Sequence, residues 1–306
     1  MTRSVFLAFV LAGLAFAPLA VADEAAAEAA FVRGEYDTAL TELSDSKTAD
    51  ALAFRARALL AEAMSGPADP PEDVLHRALD DANVALIMDP AHAEGRLQRA
   101  IALSLILRPM STREARKTGW AEEARDLARG VLEDEPGNVY AHGFLSVWNL
   151  EVVNRGGRIG AMIMGAGVSD GRDHYEAAIA AAPDEASVHW QWARALAALN
   201  ARKYRDEVLS ALDAALAAFL EAGIDKAHLE RLKTQAKASE IYARDSLSGL
   251  ARQYGQALAS GLTIADVQAW PDVLQSVTAE DVMAAAKKVL NADNSVTAWL
   301  LPEAKG

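Results

Sequence analysis

Six histidines and no cysteine set narrow limits on the metal and nucleophilic chemistry open to this chain. Without cysteine there is no thiolate nucleophile, no disulfide framework and no Cys-based zinc site. His76, His92, His142, His174, His189 and His228 are scattered, and none stands in the H-E-x-x-H or H-x-x-E-H spacing that puts two imidazoles and a carboxylate on one helix face around zinc. His76 and Asp80 are four apart and could supply two ligands from one face. A metal site needs three or four, so a surface pair is the expectation. Tyr242 to Ser246, YARDS, sets an acid beside a hydroxyl. With no histidine placed to act as base, it reads as a helix junction capped by Asp245 or Ser246. Gly156 to Gly167, GGRIGAMIMGAG, lacks the preceding strand and the following Gly-Lys-Ser/Thr of a phosphate cradle. Two readings of it stay open. Ile159, Met162, Ile163 and Met164 either tuck a loop or short helix against its neighbours, or form a mobile Met-rich patch that adapts to a partner. Trp190 and Trp192 flank Gln191 beside His189 like a ligand cluster, yet at helical spacing one Trp packs inward. No catalytic, metal or cofactor-binding residue is assigned, and no cofactor is expected.

Whatever positions these residues is built from helices. The chain has 306 residues, 52% of them hydrophobic and only 6% aromatic, and its many alanines favour closely packed helices. Residues 1–22 read as a secretory signal: Arg3, then an apolar run from Val5 to Ala17, then Ala20-Val21-Ala22 as a cleavage site. The run is shorter than a comfortable membrane span, and no later run approaches that length. A soluble exported protein is expected, in the periplasm of a Gram-negative bacterium, with no stable membrane insertion after cleavage. The formal charge is −13, and −14 once Arg3 leaves with the signal. No local run of Lys and Arg stands out, so nucleic acid and anionic lipid surfaces are disfavoured as partners.

Three segments then repeat. Ala78 to Pro90, Ala121 to Pro136 and His174 to Pro183 are Ala-rich amphipathic stretches ending in proline, with Pro90, Pro136 and Pro183 spaced 46 and 47 residues apart. An Ala-rich helix begins after each proline, which ends one helix and opens the next because it lacks a donor and clashes with a continuing turn. Small residues such as Ala78, Ala85, Ala124 and Ala178 let paired helices approach closely. Gly34-Glu35-Tyr36-Asp37 with Ala39 gives the N-terminal unit the same logic. On these motifs, residues 24–222 resemble tetratricopeptide-type (TPR) repeats. The resemblance implies an all-α, TPR-like solenoid in which Gly34, Tyr36, Ala39, Ala78, Ala85, Pro90, Ala124, Pro136, Ala178 and Pro183 pack the repeats. The repeat is longer than the usual 34 residues. The excess lies inside the pairs, at Ser65–Asp73, Arg108–Trp120 and Asn154–Asp173, on one side of the solenoid, where inserts form a binding face.

From about residue 222 the proline-ended pairs stop. Thr263, and Thr278 with Asp281, read as helix caps, and Asn291 closes the last helix. Ser295 to Leu301 reads as the one strand, with Val296, Trp299 and Leu301 as its apolar residues. LERLKTQ (229–235), the stretches 241–263 and 266–290, and SVTAWLLP (295–302) resemble the end of an insulinase/pitrilysin-type metallopeptidase domain over about 205–303. That resemblance implies helices covering a sheet that the strand would join. It carries no catalytic residue here, because the family's H-x-x-E-H motif is absent. The expected organisation is a signal at 1–22, repeats at 23–204 and a helical tail at 205–306. The expected function is a non-enzymatic scaffold that binds a protein or peptide partner. The alternative is a non-catalytic subunit docking on a zinc metallopeptidase of that type, and a third possibility is a tail kept only as a fusion remnant.

Overall fold

The computed structural model describes residues 22–65, 69–224, 229–230, 232–234, 236–237 and 246–290. They divide into two compact units, the first ending at Phe219 and the second beginning at Leu220. The first unit is made of helices α1 (Ala22–Val32), α2 (Tyr36–Glu42), α3 (Ala49–Ser65), α4 (Glu72–Met88), α5 (Ala93–Leu107), α6 (Thr112–Thr118), α7 (Trp120–Asp134), α8 (Val139–Met164), α9 (Val168–Ala181), α10 (Ala186–Asn200) and α11 (Arg205–Ala222), the last of which crosses the boundary between units. The second unit holds α12 (Leu247–Ala259), α13 (Ile264–Ser276) and α14 (Ala279–Val289). The described residues contain no strand. Ser295 to Leu301, with Val296, Trp299 and Leu301, lies outside them.

The first unit is a stack of antiparallel pairs: α1 with α2, α3 with α4, α5 with α7 and α8 with α9. Val208 and Ala211 of α11, with Tyr204 just before it, join a core shared with Leu196 of α10 and Leu150 of α8. The spacing of small residues sets how closely the pairs sit. Ala39, Ala78, Ala82, Ala85, Ala124, Ala128 and Ala178 are completely buried. Tyr36 is buried edge-on against Phe31, and Gly34 takes φ +66 at the turn between α1 and α2, a conformation that L side chains rarely adopt.

Pro90, Pro136 and Pro183 each occupy the turn between one pair and the next. Their carbonyls are clamped in the same way. The side chain six residues on donates to each: Arg96 Nε to Pro90 O at 3.0 Å, His142 Nε2 to Pro136 O at 2.9 Å and His189 Nε2 to Pro183 O at 2.9 Å. The remaining donors and acceptors of the clamp reach a second helix. Arg96 also bonds the Gly130 carbonyl and Asp134 of α7. With Nε2 of each histidine committed as donor, Nδ1 is left to accept. For His142 the donor is His174 Nδ1 at 2.9 Å, and for His189 it is the Tyr175 hydroxyl at 2.7 Å, both on α9. Tyr175 also stacks on Trp192, and burial pushes its phenol up to about 12, so it remains a donor.

Two inserts that the sequence leaves as partly irregular are ordered helix. Ser111 opens α6 with a capping box to Glu114, and Gly119 at φ +71 closes it. The Gly-rich stretch continues α8 through a kink at Gly157 (φ +60, ψ −164) and ends at Gly165. In the second unit Thr263 with Asp266 and Thr278 with Asp281 form full capping boxes, and Ser246 caps α12. Those hydrogen bonds hold the Asp266 and Asp281 carboxyls below the usual carboxylate range.

Two outcomes are expected. Ala78→Leu forces a larger side chain into a completely buried contact and should destabilise the first unit by about 1–3 kcal/mol in denaturant titration. Burial first, then His142 and Arg129, hold the His174 pKa below its ordinary 6.5. A depressed histidine contributes stability that is complete above 6.5 and lost as pH falls through the folded-state value. The melting temperature should therefore drop on acidification from pH 7.5 to 5, and His174→Gln should flatten that drop.

The inner groove and its arch

The first helices of successive pairs line a continuous concave surface. Arg57 and Met64 come from α3, Leu97, Gln98, Ile101, Ser104 and Leu105 from α5, Phe144, Val147, Trp148 and Val152 from α8, and Val188, Gln191 and Arg194 from α10. The enclosed part of this groove has a volume of about 370 Å³, within the range of small ligand sites. Its walls are mostly apolar, because the stripe that the first helix of each pair turns toward its neighbours extends onto the inner face.

Polar residues in the groove are tied to one another. Arg57 Nε meets Glu94 Oε1 at 2.5 Å, and Gln98 donates to the same oxygen at 2.9 Å. Burial works against the Arg57 charge, but Glu94 more than offsets it, and the guanidinium pKa rises above its usual value. Tyr140 donates to Glu185 at 3.0 Å, and burial and that carboxylate raise its pKa. Arg108 and Arg194 share Glu151, at 3.9 and 3.4 Å. Burial pulls the Arg108 pKa below its ordinary value despite Glu151. Glu122 stands in the same wall, and its Oε2 is shut off from solvent with no hydrogen-bond partner among the described residues.

Past the Gly157 kink, the end of α8 arches beside the groove, and polar bonds pin both ends of this arch. Arg155 donates to the carbonyls of Leu107 and Met110 at 3.1 and 2.6 Å, satisfying the C-terminus of α5. Arg125, lying over the Trp148 ring, donates to Met164 O at 2.9 Å. Asn149, buried, accepts from Gly167 N at 3.0 Å and so fixes where the chain turns into α9. Between these points Ile159, Ile163 and Met164 line the groove, yet Ile159, Met162 and Ile163 remain 72, 76 and 56% exposed. Of the patch residues singled out in the sequence, the arch gathers these four. Trp192 instead lies in the core at 2% exposure, and Trp190 is half-buried beside it in the chain.

His76 meets Glu72 at 3.8 Å on an exposed face. His92 caps α5 and bonds Asp50, while His228 and Tyr242–Asp245 lie outside the described residues. Among the described residues no three His, Asp or Glu side chains gather as a metal ion would need. Sequence reasoning missed the arginines of the groove, because Arg57, Arg108, Arg155 and Arg194 are far apart in the chain and meet only in the stack. It also finds no cluster of basic residues, and the fold corrects this. Thr112 Oγ1 donates to Arg155 O at 3.5 Å, so α6 and the base of the arch lie side by side, and Arg113, Arg116, Lys117 and Arg158 are all exposed there.

No protein-family model matches the chain, and no curated protein matches it. Among solved structures, the chain is similar to one described as "Crystal structure of MamA", at 14% identity and a TM-score of 0.36, over 63% of this chain and 93% of that one. The helical-repeat architecture rests on the helix pairs themselves.

Removing Glu94 leaves Arg57 uncompensated in a mostly buried site. Glu94→Ala should therefore cost about 3–5 kcal/mol, and a double variant with Arg57→Met should recover much of that, a coupling measurable in a double-mutant cycle.

Proposed function

We propose that this chain is an exported, non-catalytic helical-repeat scaffold whose inner groove receives a segment of a partner protein. The groove is the observation that carries the reading. It is apolar, built from the first helices of successive pairs, and carries polar groups that can meet a ligand: Ser104, and the amide nitrogen of Gln191, whose oxygen accepts from Arg194. Arg108 and Arg194 around one glutamate leave positive charge for a carboxylate of the same segment. The non-catalytic part of the reading rests on the missing zinc motif, and export rests on residues 3–22.

One observation favours a second surface for partners. Among the described residues of α12, α13 and α14 none is buried, and Leu247, Trp270 and Val289 are 85, 52 and 73% exposed. Helices with apolar faces left open suit docking on another protein, and the resemblance of this segment to the end of a metallopeptidase domain makes a zinc peptidase of that type the partner to test first.

A photo-crosslinking residue at Gln191, in the groove, should trap a partner in cells, whereas the same residue at exposed Glu133 of α7 should not. Equal trapping at both sites overturns the groove reading. For the tail, Trp270→Glu should abolish co-purification with a peptidase bearing H-x-x-E-H. If no such peptidase co-purifies with the unaltered chain, the second reading fails.

A further inference from the structure

The two inserts that border the groove concentrate charge of one sign. Residues 108–118 and 155–164 hold Arg108, Arg113, Arg116, Lys117, Arg155 and Arg158 against one acid, Glu114. That is +5 in a chain of formal charge −13, so everything else carries −18. Glu114 is occupied by the capping box at Ser111, Arg108 by Glu151, and Arg155 by two carbonyls. Arg113, Arg116, Lys117 and Arg158 are exposed and form no ion pair among the described residues. Beside them Ile159, Met162 and Ile163 stand at helical positions i, i+3 and i+4 beyond the kink, more than half exposed.

We propose that this pole docks the protein on the surface of a bilayer containing anionic phospholipid. Its composition is that of an interfacial element, with long apolar side chains on one stripe and Lys and Arg around them. An acidic protein surface fits less well. It would need carboxylates fixed in advance opposite each of four exposed cations. Lipid headgroups diffuse to where the cations are, and the acyl region accepts Ile159, Met162 and Ile163 without shape matching. The same charge distribution sets orientation. Beyond a Debye length, about 10 Å at 0.1 M salt, the net negative remainder feels little of the membrane. The attachment proposed is peripheral, and no helix among the described residues is long and apolar enough to cross a membrane. It places the mouth of the groove beside the bilayer, where segments of membrane proteins emerge.

The test is vesicle co-sedimentation of the full chain with phosphatidylcholine vesicles and with vesicles containing 30% phosphatidylglycerol (about one charge in three lipids, a usual anionic load). Binding is expected to the second only, falling at least tenfold between 0.1 and 0.5 M NaCl. The triple variant Arg113→Glu, Arg116→Glu, Lys117→Glu and, separately, Met162→Ser with Ile163→Ser should each reduce binding at least tenfold with unchanged circular dichroism and melting temperature. Any contribution from the apolar N-terminal run is the same in all these proteins and shows as salt-insensitive binding to neutral vesicles. No added binding to anionic vesicles, or full binding by either variant, overturns the proposal. So does charge-dependent binding to acidic proteins with none to vesicles.

Discussion

The carbonyl of the proline between helix pairs is the fixed point of this architecture. The proline stands in the turn beyond the end of one helix, where its carbonyl has no helical partner, and a stack of pairs has several such turns to satisfy. Here the residue six positions later closes each one, and the same side chain reaches across to α7 or α9. One hydrogen-bonded hub therefore sets both the turn and the angle between neighbouring helices. Arginine serves at the first junction and histidine at the next two. With the angle fixed, the buried alanines decide the separation, and the inner faces of α3, α5, α8 and α10 line up into a groove.

The repeating part of the fold was legible in the sequence because proline and alanine act locally. Pro90, Pro136 and Pro183 mark the turns, and Ala78, Ala124 and Ala178 mark the close contacts, without knowledge of what lies opposite. The caps at Thr263 and Thr278 were readable for the same reason. Trp190 and Trp192 differ by 200° around a helix, so one of them had to face inward, but only the register of α10 shows that it is Trp192. The groove and the basic pole were not legible. The groove joins side chains from four helices, and although Arg113, Arg116 and Lys117 are neighbours in the chain, only folding brings Arg155 and Arg158 beside them, against an overall excess of acids.

The second unit follows a different rule. α12 to α14 are defined almost entirely from their ends, by Ser246, the Thr263–Asp266 box and the Thr278–Asp281 box, with no buried residue among the three. Capping fixes where a helix starts and leaves its apolar stripe unassigned. The stacked unit shows the converse: α4 and α7 begin without a side-chain cap and hold their place through buried alanines.

The arch is fastened at its two ends by bonds to Arg155, Arg125 and Asn149, while its middle contributes almost nothing to the core. Stability and recognition are thereby assigned to different residues of one segment. Arg158, Ile159, Met162 and Ile163 can change with little effect on the stack beneath them, because they are exposed, whereas Ala161 between them is buried. Such a segment lets a rigid scaffold acquire new contacts at little risk to its fold.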